Sequence, residues 1–323
     1  MRRIVCKALA PLDQLVVDEL DPLLAEPGRV VVDVAAAGVN FVDALIVQGL
    51  YQLKPATPFT PGGEVAGVIS AVGDGVEGWS VGDRVMVMTG FGGFADQISA
   101  SPLSLLRLPE AMTFGQAASF IQSYGTMLFA LTLRTTVVAG ETILVLGAGG
   151  GIGLAAVDVA RALGLRVIAA ASSSEKLEAA RAMGAESVIA YEDEDLKARA
   201  RELSGGGVDV VADPVGGRHA EPALRTLRVG GRYLVIGFAG GAIPTIPLNQ
   251  VLLSNRTVVG IEWGGWVFTH PEENRKLIDE LLTMVAAGRL HPAEPVTYPL
   301  TEAARALTDL MERRVTGKAV LVP

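Results

Sequence analysis

The sequence predicts an α/β protein in which a doubly wound parallel-sheet domain is inserted into a β-rich domain. Three observations predict it. Up to about residue 120 the chain forms short strands broken by Gly and Pro turns. From about 121 to 260 strands and helices alternate regularly. Beyond that come two helical stretches and a final strand, read as the return of the chain into the first domain. The expected division is residues 1–120 with 265–323 in one domain and 121–264 in the other.

Taken in order, the first stretch, Met1 to Ala10, holds an apolar run that Lys7 interrupts. It is too short for the core of a signal peptide, so a first strand is expected. Further strands are Arg29–Val34, Val65–Val72 and Asp83–Met88, with turns at Pro61-Gly62-Gly63, Gly73-Asp74-Gly75 and Gly90 to Gly93. In the middle region strands are expected at 142–147, 166–171, 187–190, 208–213, 232–237 and 257–262. Helices are expected to begin near Ile152, Ser174, Glu194 and Arg218. Alternation on this scale implies a parallel sheet covered by helices on both faces. The tail adds helices over Pro271–Ala287 and Thr301–Arg313 and a strand over Lys318–Val322.

Composition narrows the function. The chain has 323 residues, of which 50% are hydrophobic, so it has the means to bury two cores. A net charge of −8 argues against a nucleic-acid surface or a polybasic membrane patch. The single cysteine, Cys6, excludes an internal disulfide and a cysteine-based structural zinc. No stretch reaches the ~18 charge-free apolar residues of a membrane span. A cytoplasmic protein acting on a small molecule is expected, with neither nucleic acid nor membrane as partner.

The most informative segment is Thr142-Ile143-Leu144-Val145-Leu146-Gly147-Ala148-Gly149-Gly150-Gly151-Ile152-Gly153. A buried-type strand runs into a glycine turn, and an apolar helical pattern follows. Such a turn brings backbone N–H groups close to a diphosphate, and the following helix aims its positive dipole end at the same charge. Gly147, Ala148, Gly150, Gly151, Ile152 and Gly153 are therefore expected to bind a dinucleotide. The next strand ends in Ala170-Ala171, followed by Ser172, Ser173 and Lys176, with no carboxylate at its end. A cofactor with a free ribose 2′-hydroxyl usually meets an Asp or Glu there, whereas hydroxyls and an ammonium suit a 2′-phosphate. NADPH is the expected cofactor. Capping of the next helix by Ser173 or Ser174, with Lys176 in solvent, is the alternative, and both roles can hold at once.

Gly147, Gly151 and Gly153 also fit the spacing of short-chain dehydrogenases. Those enzymes need a Tyr-x-x-x-Lys pair, and none of Tyr51, Tyr124, Tyr191, Tyr233 and Tyr298 has Lys four residues on. Nearly end to end, the chain instead resembles the quinone oxidoreductase branch of the medium-chain dehydrogenase/reductase family, to which zeta-crystallin belongs. The resemblance rests on Ala37-Gly38-Val39-Asn40-Phe41-Val42-Asp43, on Pro61-Gly62-Gly63-Glu64-Val65-Ala66-Gly67 and on Val81-Gly82-Asp83-Arg84-Val85. It continues through the glycine turn, Asp209 to Gly217, and Gly230-Gly231-Arg232. It implies a Rossmann domain inserted into a GroES-like domain, and a zinc-independent enzyme. Zinc alcohol dehydrogenases of the family place a Cys and a His in the first two motifs, where this chain has Asn40 and Gly63. His219, His270 and His291 are isolated in sequence.

Without a metal, reduction of a carbonyl compound needs placed donors for the charge that develops on oxygen, and then a proton. A quinone or a conjugated enone, whose charge is delocalised, suits such a site. Asn40 follows a strand in a motif that lies beside the nicotinamide in the enzymes this chain resembles; it is either a donor or a turn residue. Tyr51 resembles the proton-donating tyrosine of related enoyl thioester reductases, and the alternative is an aromatic packed in a loop. Thr126 is a candidate for the nicotinamide end, and Tyr191 resembles the position that packs on adenine in this branch. Gly237 and Phe238 end a further strand, where ligands gather in doubly wound sheets. An enoyl-CoA or acryloyl-type reductase and a non-catalytic NADPH-binding protein remain alternatives. The apolar strand Thr257–Ile261, if it is a sheet edge, predicts a homodimer.

Overall fold

A computed structural model describes all residues 1–323. The chain divides into two compact units, Met1–Gln122 with Glu294–Pro323, and Ser123–Ala293.

In the first unit β1 (Arg2–Val5) and β2 (Val16–Glu19) form an antiparallel pair. There follow β3 (Val30–Val39), α1 (Phe41–Val47), β4 (Glu64–Val72), β5 (Arg84–Met88), β6 (Gln97–Ala100), β7 (Leu105–Arg107) and α2 (Phe114–Ala118). β3 is rich in valine and alanine, and only Asp33 of its ten residues is exposed. It is central: it pairs antiparallel with both β4 and β6. α1 starts where Asn40 leaves the strand and the Asp43 carboxylate accepts the Asn40 N–H at 2.8 Å, half of a capping box.

The second unit begins with α3 (Ile121–Leu128), whose first turn straddles the boundary. Then come β8 (Thr142–Leu146), α4 (Gly151–Ala162), β9 (Arg166–Ala171), α5 (Ser174–Ala182), β10 (Ser187–Ala190), α6 (Leu196–Leu203) and β11 (Val208–Asp213). α7 (Ala220–Leu224), β12 (Leu227–Val235), α8 (Asn249–Leu252), β13 (Thr257–Gly260), α9 (Trp263–Thr269) and α10 (Pro271–Ala286) complete it. The six strands are parallel in the order β10-β9-β8-β11-β12-β13. That is the doubly wound order, with its reversal between β8 and β11. Every residue of β8 and β11 is buried, as a strand covered on both faces requires.

The tail returns to the first unit as β14 (Val296–Pro299), α11 (Ala303–Met311) and β15 (Ala319–Val322). β15 pairs antiparallel with β3, and the larger sheet runs β14-β15-β3-β4-β5-β7. Val32, Ile69, Val85, Phe94 and Leu321 lie in its core. No helix is long and apolar enough to cross a membrane.

Most expected elements form within a residue or two of their predicted ends; β3 runs on to Val39 where a strand over Arg29–Val34 was expected, and β12 spans Leu227–Val235 where 232–237 was expected. α6 starts at Leu196 because Asp195 caps it, accepting from the Ala198 N–H at 2.7 Å, while Glu194 accepts from Ala190. A 3₁₀ turn over Gly217–His219 precedes α7. The larger difference concerns 265–293, expected in the β-rich domain. This segment packs in the second unit, where Arg161 donates to the Arg289 carbonyl, Arg289 to the Ala162 carbonyl, and the His291 N–H to buried Asp158.

Candidate functional site

In the second unit the site is built at the reversal of strand order. β8 runs out into Gly147, whose φ of 58° only glycine adopts without strain. The Gly147 carbonyl accepts from the Gly150 N–H at 3.0 Å, and the first helical bond of α4 is Leu154 N–H to the Gly150 carbonyl at 2.8 Å. The N–H groups of Gly151, Ile152 and Gly153 therefore lie ahead of any intrahelical acceptor, and Gly150 brings no side chain to cap them. Two further glycines are required by crowding. A Cβ on Gly153 would lie 2.2 Å from the Gly147 carbonyl oxygen, and one on Gly149 would lie 2.3 Å from Lys176 Cβ. The second contact brings the start of α5 against the turn. Ala148 donates its N–H to the Ala170 carbonyl at 3.0 Å, so it fixes the turn's shape and is not a spare donor.

At the end of β9, Ser173 Oγ accepts the Lys176 N–H at 3.4 Å as the cap of α5, and Ser172 is exposed. Tyr191, just past β10, packs against His219 with ring centroids 4.3 Å apart and planes tilted by 39°. Arg218 donates to His219 Nε2 at 3.3 Å and pairs with Glu192. His219 is isolated in sequence, and the turn before α7 brings it to Tyr191.

Buried Asp213 accepts the N–H groups of Val215 and Gly216 at 2.7 and 2.8 Å and the Tyr233 hydroxyl. Burial, with the Asp213 charge behind it, drives the Tyr233 phenol far above its ordinary pKa, so it serves only as a fixed donor. The loop so held carries Val215 against the glycine turn: a Cβ on Gly147 would lie 2.7 Å from Val215 Cγ2. The Gly237 N–H donates to the Asp213 carbonyl, and the exposed ring of Phe238 covers Gly216. Thr126 sits half-buried on α3, next to Gly125, which packs on Trp263.

The first unit holds a separate polar cluster under the sheet ends. Asn40, 8% exposed, donates from Nδ2 to Glu64 Oε1 at 3.1 Å and accepts from Lys318 Nζ at Oδ1. Lys318 Nζ also lies 3.2 Å from Glu64 Oε1, and the other Glu64 oxygen accepts the Gln122 N–H at 3.0 Å. Burial pushes the Asp43 carboxyl up to about 7, against the lowering effect of the Asn40 N–H and Lys318. Glu64 and Lys318 were not singled out from sequence. The available signal was a charged residue at the mouth of two apolar strands, in Gly63-Glu64-Val65 and Gly317-Lys318-Ala319. Tyr51 lies half-buried in the loop after α1.

A tetrahedral zinc does not fit this cluster. Asn40 and Gly63 offer neither thiolate nor imidazole, and the carboxylate bonded to the Asn40 side chain, Glu64, already receives the Lys318 ammonium. Cys6 is buried elsewhere, its Sγ against the Ala8 and Val47 carbonyls. A dinucleotide does fit the second unit: a tight turn with no room for a Cβ at Gly149 or Gly153 meets a helix start with unused N–H groups.

Comparison with known proteins gives three kinds of match. The zinc-binding dehydrogenase family matches residues 151–283, and the alcohol dehydrogenase GroES-like domain matches residues 26–110. The chain is 39% identical over 309 residues to quinone oxidoreductase-like protein 2 of Bos taurus, covering 95% of this chain and 88% of that one. Among solved structures, it is 38% identical to a probable oxidoreductase from Mycobacterium abscessus, with a TM-score of 0.88 over 100% of this chain and 99% of that one. It is 32% identical to the Escherichia coli quinone oxidoreductase solved in complex with NADPH, with a TM-score of 0.88 over 100% of both chains.

Proposed function

Because the chain belongs to the quinone oxidoreductase branch of the medium-chain dehydrogenase/reductase family, we propose that it is a zinc-independent, NADPH-dependent reductase of quinones or α,β-unsaturated carbonyl compounds. The observation that carries this reading is the glycine turn at the strand-order reversal, with the N–H groups of Gly151, Ile152 and Gly153 unused at the start of α4.

These donors would hold the diphosphate, with Gly147, Ala148 and Gly150 shaping the turn. Ser172, Ser173 and Lys176 would meet the 2′-phosphate, Tyr191 the adenine, and Thr126, Gly237 and Phe238 the remainder of the cofactor. When bound, NADPH supplies a hydride. The chain's own task is to receive charge on the acceptor's oxygen and to return a proton. Asn40, with one Nδ2–H still unpaired, is the proposed donor to that oxygen, and Tyr51 is the proposed proton source. The test is steady-state NADPH oxidation over quinones, enones and enoyl thioesters, with and without a chelator. Turnover of quinones or enones that survives chelation is expected. Preference for thioesters would make the chain an enoyl reductase, and tight NADPH binding without turnover would make it a non-catalytic binder.

The cofactor assignment has its own test. A charge-assisted hydrogen bond is worth roughly 1.5–3 kcal/mol, so Lys176→Ala should weaken NADPH by about 10- to 100-fold while leaving NADH nearly unchanged. Equal losses for both cofactors in fluorescence titrations would remove the assignment.

The reading extends to a homodimer. β13 is the edge of the six-stranded sheet, and Val258 on it is exposed, as are Leu252 and Leu253 just before it. Pairing of two β13 strands about a twofold axis would satisfy the exposed backbone groups. Light scattering at micromolar concentration should give the mass of two chains, and Val258→Lys should shift it toward one. A monomeric wild type would count against the pairing. A cytoplasmic location is part of the same proposal.

A further inference from the structure

Three strand ends bring together residues far apart in sequence. Antiparallel pairing of β15 with β3 sets Ala319 opposite Val39, so Lys318 comes beside Asn40. Pairing of β3 with β4 sets Ala37 opposite Val65, so Glu64 arrives on the other side. Gly38 keeps the space open: a Cβ there would lie 2.1 Å from the Ala118 carbonyl oxygen and 2.8 Å from Glu64 Cγ.

The three side chains close a ring of hydrogen bonds. Asn40 Nδ2 donates to Glu64 Oε1, Lys318 Nζ donates to the same oxygen, and Lys318 Nζ donates to Asn40 Oδ1. An amide turned over within this ring would set its NH₂ against an ammonium and its oxygen against a carboxylate, so only one orientation is allowed. Glu64 is itself fixed, because its second oxygen accepts from Gln122 and it is only 1% exposed. In the allowed orientation Asn40 retains one Nδ2–H with no acceptor in the chain. A buried amide with a single unspent donor is what a carbonyl-binding position needs.

We propose that Lys318 and Glu64 are positioning residues: they hold the Asn40 carboxamide in one orientation, with its free Nδ2–H offered to the carbonyl oxygen of the acceptor. This rests on the reductase reading for its catalytic consequence, but the lock itself does not. Neither residue touches the acceptor; both act through Asn40.

The test combines kinetics with a readout that needs no turnover. In the full-length protein, Lys318→Met should lower kcat for the preferred acceptor by about 10- to 100-fold, somewhat below the loss of a whole transition-state donor. The KM for NADPH should be unchanged, and Lys318→Arg should restore part of kcat. In ¹⁵N NMR spectra, the Asn40 side-chain NH₂ pair, assigned by its disappearance in Asn40→Asp, should be well resolved and slow to exchange in the wild type. In Lys318→Met it should exchange faster. Glu64→Gln, which preserves volume, should produce the same changes if Lys318→Met fails to fold. Retention of both kcat and exchange protection in the variants would overturn the proposal. Loss of protection in a protein that turns over no acceptor would uphold the lock and refute the reductase reading.

Discussion

Tyr51→Phe is expected to lower turnover of enones by about 10²- to 10⁴-fold, the usual scale for removal of a general acid. The affinity for NADPH should hardly move, because Tyr51 lies in the loop after α1, in the unit that does not carry the glycine turn. Quinones should lose much less. A hydroquinone anion is a stable oxygen base and can take its proton from water, whereas an enone-derived anion must be protonated at carbon. The comparison of the two acceptor classes in one variant is therefore the decisive measurement. Full enone activity in Tyr51→Phe would leave Tyr51 a packing residue, with water or the cofactor ribose as the proton source. A phenol suits the task because it remains mostly protonated near neutral pH yet can donate a hydrogen bond.

What sequence made legible here was what short-range chemistry determines. The strand Thr142–Leu146, the turn that follows it and the serine cap of α5 each depend on residues within a few positions; the strand and the turn stand where they were expected, and of the two serines offered for the cap Ser173 takes it. The absence of a carboxylate at the end of β9 was equally local. Regular alternation pointed to a doubly wound parallel sheet, and the six strands are parallel in a doubly wound order. The ring of Asn40, Glu64 and Lys318 was not legible, although two of its members lie in motifs quoted for the family resemblance. It exists only through the register of β15, β3 and β4, with Glu64 and Lys318 at a sequence separation of 254, and no local pattern encodes that register. The contact of Tyr191 with His219 is illegible for the same reason: one residue follows β10 and the other precedes α7. The boundary near 265 failed differently. A return of the chain was inferred from a change of pattern, but Asp158, buried on α4, accepts from Tyr124 and from the His291 N–H and so ties the segment through 291 to the second unit.

Gly153→Ala is expected to reduce NADPH affinity by about 10²- to 10⁴-fold. The added Cβ would lie 2.2 Å from the Gly147 carbonyl oxygen and 2.6 Å from Ala148 Cα. Both are backbone atoms, so no side chain can rotate away to relieve the contact. The turn and the first turn of α4 must separate, at a cost of roughly 1–3 kcal/mol for overpacking. The consequence for binding is larger than that strain. The N–H groups of Gly151, Ile152 and Gly153 can converge on one diphosphate only while Gly147 and α4 stay in contact. Loss of two charge-assisted bonds of about 1.5–3 kcal/mol each gives the expected range. NADH should suffer as much as NADPH, since the diphosphate is common to both, which separates this variant from Lys176→Ala. A melting curve reports the overpacking, and fluorescence titration reports the binding. A folded Gly153→Ala protein that binds NADPH at wild-type affinity would show that the turn is not the diphosphate site, and the reading of the second unit would fall with it.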